Sequence, residues 1–486
     1  MHYVRFLKPP QISGGILTAK LTITTDLGDD FLNANLPLQL IIHHSIYQDT
    51  VIGDPLRKSN VVEWKSGMRE LAISIPLPKA TEVPEKYARD QWQLLVWPCL
   101  TGIQIEEDPK SKPIQCSKKG KPLPPRGPKP KKYDRYDRQL KLSDILKSNR
   151  GESEEYKGVK GLVLSAESAK FNLSSADQKM PATIERQFYS NFWDENKFTL
   201  TIEEETGNSI ARHIWDAGVV FSSLLQELAT FPTKRNPAPT YLNPLHSLLQ
   251  EKWIGSDEED EISDREDYDP KVEYQKTLNV LELGTGCGIV SATLSYLLPH
   301  ARVIATDLAE AKDIAEKNLT TNRTEAIDRI DPTQNKHLPD ADSSYEVLDW
   351  TEELSGRVAE KKWDLILVAD CTYNSDVVPD LVKTLRRLVN RSPEVLIAVA
   401  LKWRHDSEAV FHDLMKENGL VVINKHTERC GNFDVDATGK EEEIEVYLFK
   451  NGKTEEASMV GERMEKEEGR RKRMLSDAVS EQPVKK

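Results

Sequence analysis

The stretch "LELGTGCGIV", residues 281–290, has glycine at every second position from 284 to 288, between two apolar runs. The carboxylate of Glu282 stands just ahead of these glycines. Glycine lets the chain turn at positive φ and lets a ligand approach the main chain closely. A glycine cluster between a strand and a helix therefore indicates a bound ligand, and an ordinary tight turn is the alternative interpretation.

Strands and helices alternate on both sides of this loop, from about residue 277 to residue 450. The strand "LNVLELG" precedes the helix "GIVSATLSYLL", and "RVIATDL" precedes "AEAKDIAEKNL". Further strand patterns follow in "EVLDW", "WDLILVAD" and "EVLIAVAL". This alternation is typical of a mostly parallel sheet with helices on both faces. We therefore predict a doubly wound, Rossmann-like α/β fold, whose ligands bind at the carboxyl ends of the strands.

An acid at the end of the second strand indicates what the ligand is. Asp307 closes "VIATD" about 20 residues beyond the glycines, where nucleotide-binding sheets place the carboxylate that accepts hydrogen bonds from ribose hydroxyls. The dinucleotide fingerprint GxGxxG would need a glycine where Ile289 stands. The pattern favours an adenosine-bearing cofactor, and a dehydrogenase is the weaker interpretation.

The remaining chain predicts a second domain, since 486 residues are too many for one compact core. Residues 1–108 are β-rich, with alternating apolar positions in "LTAKLTIT" and a strand-like run in "LQLIIHHSI". A small β-sandwich or barrel fits this pattern. We interpret it as a packing or protein-partner-binding module, in which His43 and His44 are strand residues in preference to metal ligands.

Charged segments separate and flank these domains. A basic, proline-rich linker is predicted at 109–160, an acidic disordered insertion at 256–270, and a disordered charged tail at 451–486. The tail contains "GRRKR" at 469–473, which is either a nuclear-import signal or a solvated charge run. No aromatic or structured pattern accompanies the basic stretches, so specific nucleic-acid recognition is disfavoured.

Composition narrows the class of protein further. Hydrophobic residues make up 38% of the chain, and no apolar run approaches the length of a membrane span. The N-terminal "MHYVRFLKPP" lacks the build of a secretory signal, so we expect the protein in the cytoplasm, the nucleus or both. We also expect it to be a monomer. The five cysteines are scattered singly, which indicates reduced thiols and argues against a disulfide framework or a zinc site.

Several motifs together resemble those of the seven-stranded, S-adenosylmethionine-dependent methyltransferases. They are "ELGTGCG", Asp307, "LDW" at 348–350 and "ADCTY" at 369–373. The last contains a DxxY motif after the fourth strand, as in the family-16 group of protein-lysine methyltransferases. The segment 207–225, with its tryptophan, resembles the corresponding part of that family. The resemblance covers residues 186–450 and implies S-adenosylmethionine as cofactor and a protein lysine as substrate.

The resemblance also implies roles for particular residues. Asp370 would contact the ε-amine of the lysine, and Tyr373 would line the lysine channel. Glu282 would fix the glycine loop or bind the cofactor's amino group, and Asp307 would hold the ribose. The cofactor residues implied are Trp215, Glu282, Gly284, Thr285, Gly286, Gly288, Asp307, Asp349, Trp350 and Ala369. Ordinary turns and core packing are the alternatives for the glycines, the tryptophans and Tyr373.

Other functions stay open at this point. A methyltransferase of small amines would suit the same DxxY motif, and a cofactor-binding scaffold without catalysis is a third hypothesis. Base methylation of nucleic acid is disfavoured, because an Asn-Pro-Pro-aromatic stretch is usual after the fourth strand and "DCTYN" stands there. Cys371 is interpreted as a small filler within the motif.

Overall fold

The structure is a computed structural model, and it describes a set of ranges along the chain. These are 1–44, 51–52, 61–77, 91–99, 140–141, 145–146, 162–175, 177–193, 196–205, 210–230, 239–251, 277–298, 301–329, 342–405, 408–430 and 442–453. The basic stretch 109–132, the acidic insertion 256–270 and the "GRRKR" cluster lie outside the described residues. Two compact units divide the chain. The N-terminal unit comprises His2–Leu140 and Glu154–Glu185, and the C-terminal unit comprises Met1, Lys141–Ser153 and Arg186–Lys486.

The N-terminal unit is built from β-strands, as the sequence predicts. The strands in chain order are β1 (His2–Ser13), β2 (Ile16–Thr24), β3 (Leu36–His44), β4 (Val51–Ile52), β5 (Val61–Trp64), β6 (Leu71–Pro76), β7 (Trp92–Pro98), β8 (Leu140–Lys141, at the unit boundary), β9 (Val163–Leu164), β10 (Ala166–Ser168) and β11 (Asp177–Lys179). One sheet has the order β11-β1-β2-β6 with β9 beside β1, and in a second β10, β7, β3 and β4 are neighbours.

Alternating apolar side chains form one side of the first sheet. Leu17, Leu21 and Ile23 of β2 are fully buried and Ala19 nearly so, whereas Thr18 between them is exposed. On the second sheet, His43 and His44 lie on β3, and both are buried. The His43 Nε2 is 3.3 Å from a carboxylate oxygen of Glu167, and the two histidines are thus strand residues of the interior.

The extent of this unit differs from the sequence boundary at residue 108. Strands β9 to β11, between residues 163 and 179, pair with β1 and β7. They are two or three residues long, and so carry too little periodicity to be recognised from the sequence.

The C-terminal unit contains a seven-stranded sheet. Its strands are β14 (Asn279–Leu283), β15 (Arg302–Asp307), β16 (Ser343–Val347), β17 (Leu365–Ala369), β18 (Leu396–Lys402), β19 (Leu420–Cys430) and β20 (Glu442–Asn451), in the order β16-β15-β14-β17-β18-β20-β19. The first five of these in spatial order are parallel, and β20 runs antiparallel to both neighbours. This confirms the predicted doubly wound α/β fold.

Helices accompany the strands of this sheet. They are α1 (Asp216–Ala229), α2 (Asn243–Glu251), α3 (Ile289–Leu297), α4 (Lys312–Arg329), α5 (Gly356–Glu360), α6 (Val378–Arg391) and α7 (Ala409–Glu417). Helix α6 shows why they form: its apolar residues recur at helical spacing and are buried in the core of the sheet, and Pro379 lies in its first turn. No described helix is long and apolar enough to cross a bilayer.

Two further strands, β12 (Thr183–Trp193) and β13 (Asn196–Glu205), precede α1 and are neighbours. The side-chain amides of Asn318 and Asn322 on α4 bind the backbone of β13. Asn322 accepts from the N–H of Thr201 and donates to its carbonyl, at 2.9 and 2.8 Å. Asn318 makes the same pair of bonds with Glu203, both at 2.9 Å. Helix α4 is thereby fastened along one edge of β13.

Two elements differ from the sequence prediction. Helix α4 continues to Arg329, ten residues beyond Leu319, where the predicted helix pattern "AEAKDIAEKNL" ends. Strand β16 ends at Val347, so Asp349 and Trp350 lie in the turn after it, and not on the strand.

Candidate active site

A cavity of about 450 Å³ lies at the carboxyl ends of β14, β15 and β17, where the fold predicts a ligand. The segment from Ile210 to Gly218 forms the facing wall. The predicted residues that line it are Trp215, Glu282, Gly284, Thr285, Gly286, Asp307, Trp350, Ala369, Asp370 and Tyr373. The structure brings these residues together, whereas Gly288 and Asp349 do not line the cavity.

The glycine loop needs its glycines for space as well as for backbone angle. Gly284, Gly286 and Gly288 have φ of 67°, 56° and 85°. A Cβ on Gly284 would lie 2.4 Å from Cys371 Sγ, and one on Gly286 would lie 3.2 Å from the carbonyl oxygen of Ala211. Gly288 is the N-cap of α3. Two of the glycines thus keep the cavity wall bare, and the third starts the helix behind it.

Glu282 fixes this loop from within the sheet. One of its carboxylate oxygens accepts hydrogen bonds from the hydroxyl of Thr285, at 2.6 Å, and from the amide and hydroxyl of Ser291. Burial raises the pKa of Glu282 to about 7, against the effect of these bonds. The resemblance implies that Glu282 either fixes the glycine loop or binds the cofactor's amino group. The hydrogen bonds seen in the structure are those of a residue that fixes the loop.

Asp307 holds the other side of the loop. Its carboxylate accepts from the amide of Gly286 at 2.8 Å and from the amide of Leu308 at 2.7 Å. Burial raises its pKa, and the nearby charge of Glu310 acts in the same direction. Each carboxylate oxygen has a second acceptor position, so Asp307 can still receive a donor from a ligand in the cavity.

Trp350 and Asp349 are adjacent in sequence and have different surroundings. The indole of Trp350 packs against Gly284, since a Cβ there would lie 3.2 Å from Trp350 Cζ2. Its Nε1 is buried with no hydrogen-bond partner among the described residues. Asp349 accepts from the amide and the hydroxyl of Thr351, at 2.9 and 2.7 Å, and these bonds lower its pKa. Its carboxylate serves the turn after β16.

Trp215 closes the cavity from the side of α1. It is the N-cap residue of that helix, and its Nε1 donates to the carbonyl of Ile210 at 3.2 Å. One turn into α1, Gly218 allows close packing on α3, because a Cβ would meet the Ile289 side chain at 3.1 Å. The helix that carries Trp215 is therefore held directly against the helix that follows the glycine loop.

The DxxY stretch leaves β17 in an unusual conformation. Asp370 has φ of 58°, a left-handed angle that Asp and Asn tolerate better than most residues. The carboxylate of Asp370 is nearly buried, and Tyr373 is 50% exposed at the cavity mouth. Strained backbone of this kind is concentrated at functional sites. Cys371 is buried between them, as the filler role predicts.

The sequence reasoning missed Arg404. Its guanidinium donates to both oxygens of Asp370, at 2.5 and 2.6 Å, and lies 5.7 Å from the centre of the Trp215 ring. The sequence signal that could have identified it is its position just after β18. Because β18 is parallel to β17, the carboxyl ends of both strands lie at the same edge of the sheet. No motif marks this arginine.

The strand order, with β17 at the centre, β14 beside it and β20 reversed, is that of the class I, seven-stranded methyltransferase fold. A family model described as lysine methyltransferase matches residues 194–418. Over this segment the chain is similar to the lysine methyltransferase family.

The chain is also similar to individual proteins over parts of their length. A UPF0665 family protein of Schizosaccharomyces pombe is 31% identical over 43% of this chain and 47% of its own length. The protein-lysine N-methyltransferase EFM3 of Chaetomium thermophilum is 33% identical over 27% of this chain and 37% of its own length. Protein-lysine methyltransferase METTL21E of Mus musculus is 32% identical over 29% and 51%. The matches span about half or less of these relatives.

Proposed function

We propose that the protein is an S-adenosylmethionine-dependent methyltransferase whose acceptor is a lysine side chain of a protein. One observation carries the proposal: the bare glycine wall, Asp307 and the DxxY stretch border a single cavity. The match to the lysine methyltransferase family model and the names of the relatives support the same activity.

The residues present fit S-adenosylmethionine. The volume of about 450 Å³ is in the range of small-molecule sites. Gly284 and Gly286 leave space against the main chain. Trp350 offers an aromatic face and a buried N–H that has no hydrogen-bond partner in the described part of the chain. The carboxylate of Asp307 would receive the ribose hydroxyls. When bound, this cofactor supplies an activated methyl group on a positively charged sulfur.

The charges of the cavity also suit a cationic ligand. The described lining residues include the carboxylates of Glu282, Asp307, Glu310 and Asp370, and they include no lysine or arginine. Carboxylates such as those of Asp307 and Glu310 attract the positively charged sulfonium of the cofactor. Because the reaction needs alignment and a neutral nucleophile more than acid-base groups, few other side chains are required.

At the acceptor end, Asp370 would orient the amine and Tyr373 would form one wall of its channel. Asp370 lies at the end of β17 in the wall of the cavity, and Tyr373 stands three residues later at the mouth. The aromatic ring would pack on the aliphatic chain of the lysine and on its charged end. The half-exposed position of Tyr373 suits a group that meets a side chain from another protein.

Two measurements test the proposal. Calorimetry should show binding of S-adenosylhomocysteine and none of NAD. Incubation with methyl-labelled cofactor and a cell lysate should then label a protein, and hydrolysis of that protein should yield methylated lysine. Label confined to small molecules would indicate the small-amine alternative. Cofactor binding without any transfer would indicate a scaffold, and binding of NAD alone would refute the proposal.

A further inference from the structure

The carboxylate of Asp370 is already paired with a cation of the same chain. Arg404 holds it through two hydrogen bonds, and the side chains are 13% and 4% exposed, respectively. A bidentate pair of this kind fixes both the position and the direction of the carboxylate. The amide of Arg404 donates to Glu408 at 2.9 Å, which anchors the arginine on its own loop.

Arg404 also contacts the opposite wall of the cavity. Its guanidinium lies 5.7 Å from the centre of the Trp215 ring, within the range of a cation–π contact. The arginine therefore joins two walls, the Trp215 segment and the end of β17. Arg404 itself is not among the lining residues, so it supports Asp370 without occupying the cavity.

Other charged and titratable groups near the Asp370–Arg404 pair lie on β18 and around the cavity. On β18, Lys402 is itself paired with Asp216 of α1 at 2.8 Å. The titratable groups that line the cavity with Asp370 are His213, Glu282, Cys287, Asp307, Glu310, Cys371 and Tyr373. Arg404 is a cation that contacts the Asp370 carboxylate directly.

We propose that Arg404 is a positioning residue that offsets the charge of Asp370, so that the acceptor end of the cavity favours a neutral amine over an ammonium. This role rests on the proposed function. Asp370 also lines the cavity, and a carboxylate oxygen can accept more than one hydrogen bond. It can therefore accept from an amine N–H, while the positive charge of Arg404 disfavours a second positive charge beside the carboxylate.

The opposing demands of binding and reaction explain why such a residue is useful. An unpaired buried carboxylate would hold an ammonium strongly and keep the nitrogen protonated, which removes its lone pair from the reaction. With Arg404 in place, the carboxylate orients the nitrogen and binds its charge weakly. The proton passes to water at the mouth, where Tyr373 is half exposed.

Binding of n-butylamine at pH 7, to protein loaded with S-adenosylhomocysteine, tests this directly. Arg404→Gln should bind the butylammonium ion on the order of tenfold more tightly than the parent, the effect of one nearby charge. Arg404→Lys should fall between them, since it keeps the charge and loses the bidentate geometry. In the double variant Arg404→Gln/Asp370→Asn the gain should vanish.

Arg357→Gln is the matched control, because Arg357 is likewise paired with two carboxylates, Glu346 and Asp342, in the same unit. This control should bind butylammonium as the parent does. Equal affinities of the parent and Arg404→Gln would overturn the proposal. A gain that persists without the Asp370 carboxylate would overturn it too.

Methyl transfer to the lysine acceptor found in the lysate gives the second readout. Arg404→Gln should lower kcat at neutral pH without raising KM, and its pH profile should move to higher pH by about one unit. A uniform loss at every pH would mean a structural role only. A parent protein that transfers no methyl group to any amine would instead refute the proposed function itself.

Discussion

Gly284 and Cys371 are so close that a single added carbon on Gly284 would lie 2.4 Å from Cys371 Sγ. The glycine belongs to the loop after β14, and the cysteine belongs to the DxxY stretch after β17. The glycine loop and the DxxY stretch are thus packed against each other at one point. A substitution in the glycine loop should therefore disturb the DxxY stretch as well.

Gly284→Ala should destabilise the protein by about 2 to 4 kcal/mol, because it adds an overpacking cost to the cost of a positive φ. Gly419→Ala is the matched control: its φ is 68°, against 67° at Gly284, and a Cβ there would meet nothing within 4 Å. The control should lose only about 1 kcal/mol. Urea unfolding measures both. Equal losses of unfolding free energy in the two variants would mean that the loop accommodates the added carbon without an overpacking cost.

Glu282→Gln should remove part of the pH dependence of folding. The pKa of Glu282 is raised by burial from 4.5 to about 7, so the folded chain keeps a proton that the unfolded chain has already lost. Stability therefore falls as pH rises from about 4.5 to 7, and the full cost, about 3 kcal/mol, is present above pH 7.

Unfolding free energies of the parent and Glu282→Gln should consequently diverge over this range, with the variant gaining in relative stability toward pH 8. Glu353→Gln, which removes a highly exposed carboxylate of the same unit, is the control. A constant difference between parent and Glu282→Gln from pH 4 to 8 would contradict the assignment.

Asp307→Asn should weaken the binding of S-adenosylhomocysteine by about 1.5 to 3 kcal/mol, or about 10- to 150-fold. Asparagine offers one acceptor oxygen, whereas Asp307 serves the amides of Gly286 and Leu308 with two. Calorimetry provides the affinity. Asp342→Asn, at an exposed ion pair with Arg357, should leave it unchanged. An unaltered affinity in folded Asp307→Asn protein would remove this residue from the cofactor site.

Asp370→Asn should separate cofactor binding from methyl transfer. Asparagine tolerates the φ of 58°, so this variant avoids the backbone strain that Asp370→Ala would add. Affinity for S-adenosylhomocysteine should stay within a few fold, whereas single-turnover transfer should fall at least about 100-fold. Transfer at the parent rate would show that the Asp370 carboxylate does not handle the amine.

Local spacing was enough to predict much of the site. The glycines, Glu282 and Asp307 belong to a strand, a turn and the next strand, and their mutual positions are set by the short chain between them. The same holds for the alternation of strands and helices, because each helix and strand carries its own period. These parts of the fold follow from neighbours in sequence.

The missed features depend on side chains that are distant in sequence. Arg404 reaches Asp370 only because β17 and β18 pair in register and Asp370 adopts a positive φ. No pattern in "KWRHD" predicts the strand pairing or the positive φ of Asp370. Asp349 shows the reverse case: the family resemblance implies that it contacts the cofactor, whereas in the structure its carboxylate accepts hydrogen bonds from Thr351 in a turn.

The two asparagines that fasten α4 to β13 have a further consequence. Four residues of helix rise about 6 Å, close to the roughly 6.6 Å that two residues of strand span. Side-chain amides at positions 318 and 322 can therefore stand in for a missing neighbour strand at residues 203 and 201. The backbone groups that would otherwise template the addition of a foreign strand are already saturated there, which protects this edge against aggregation.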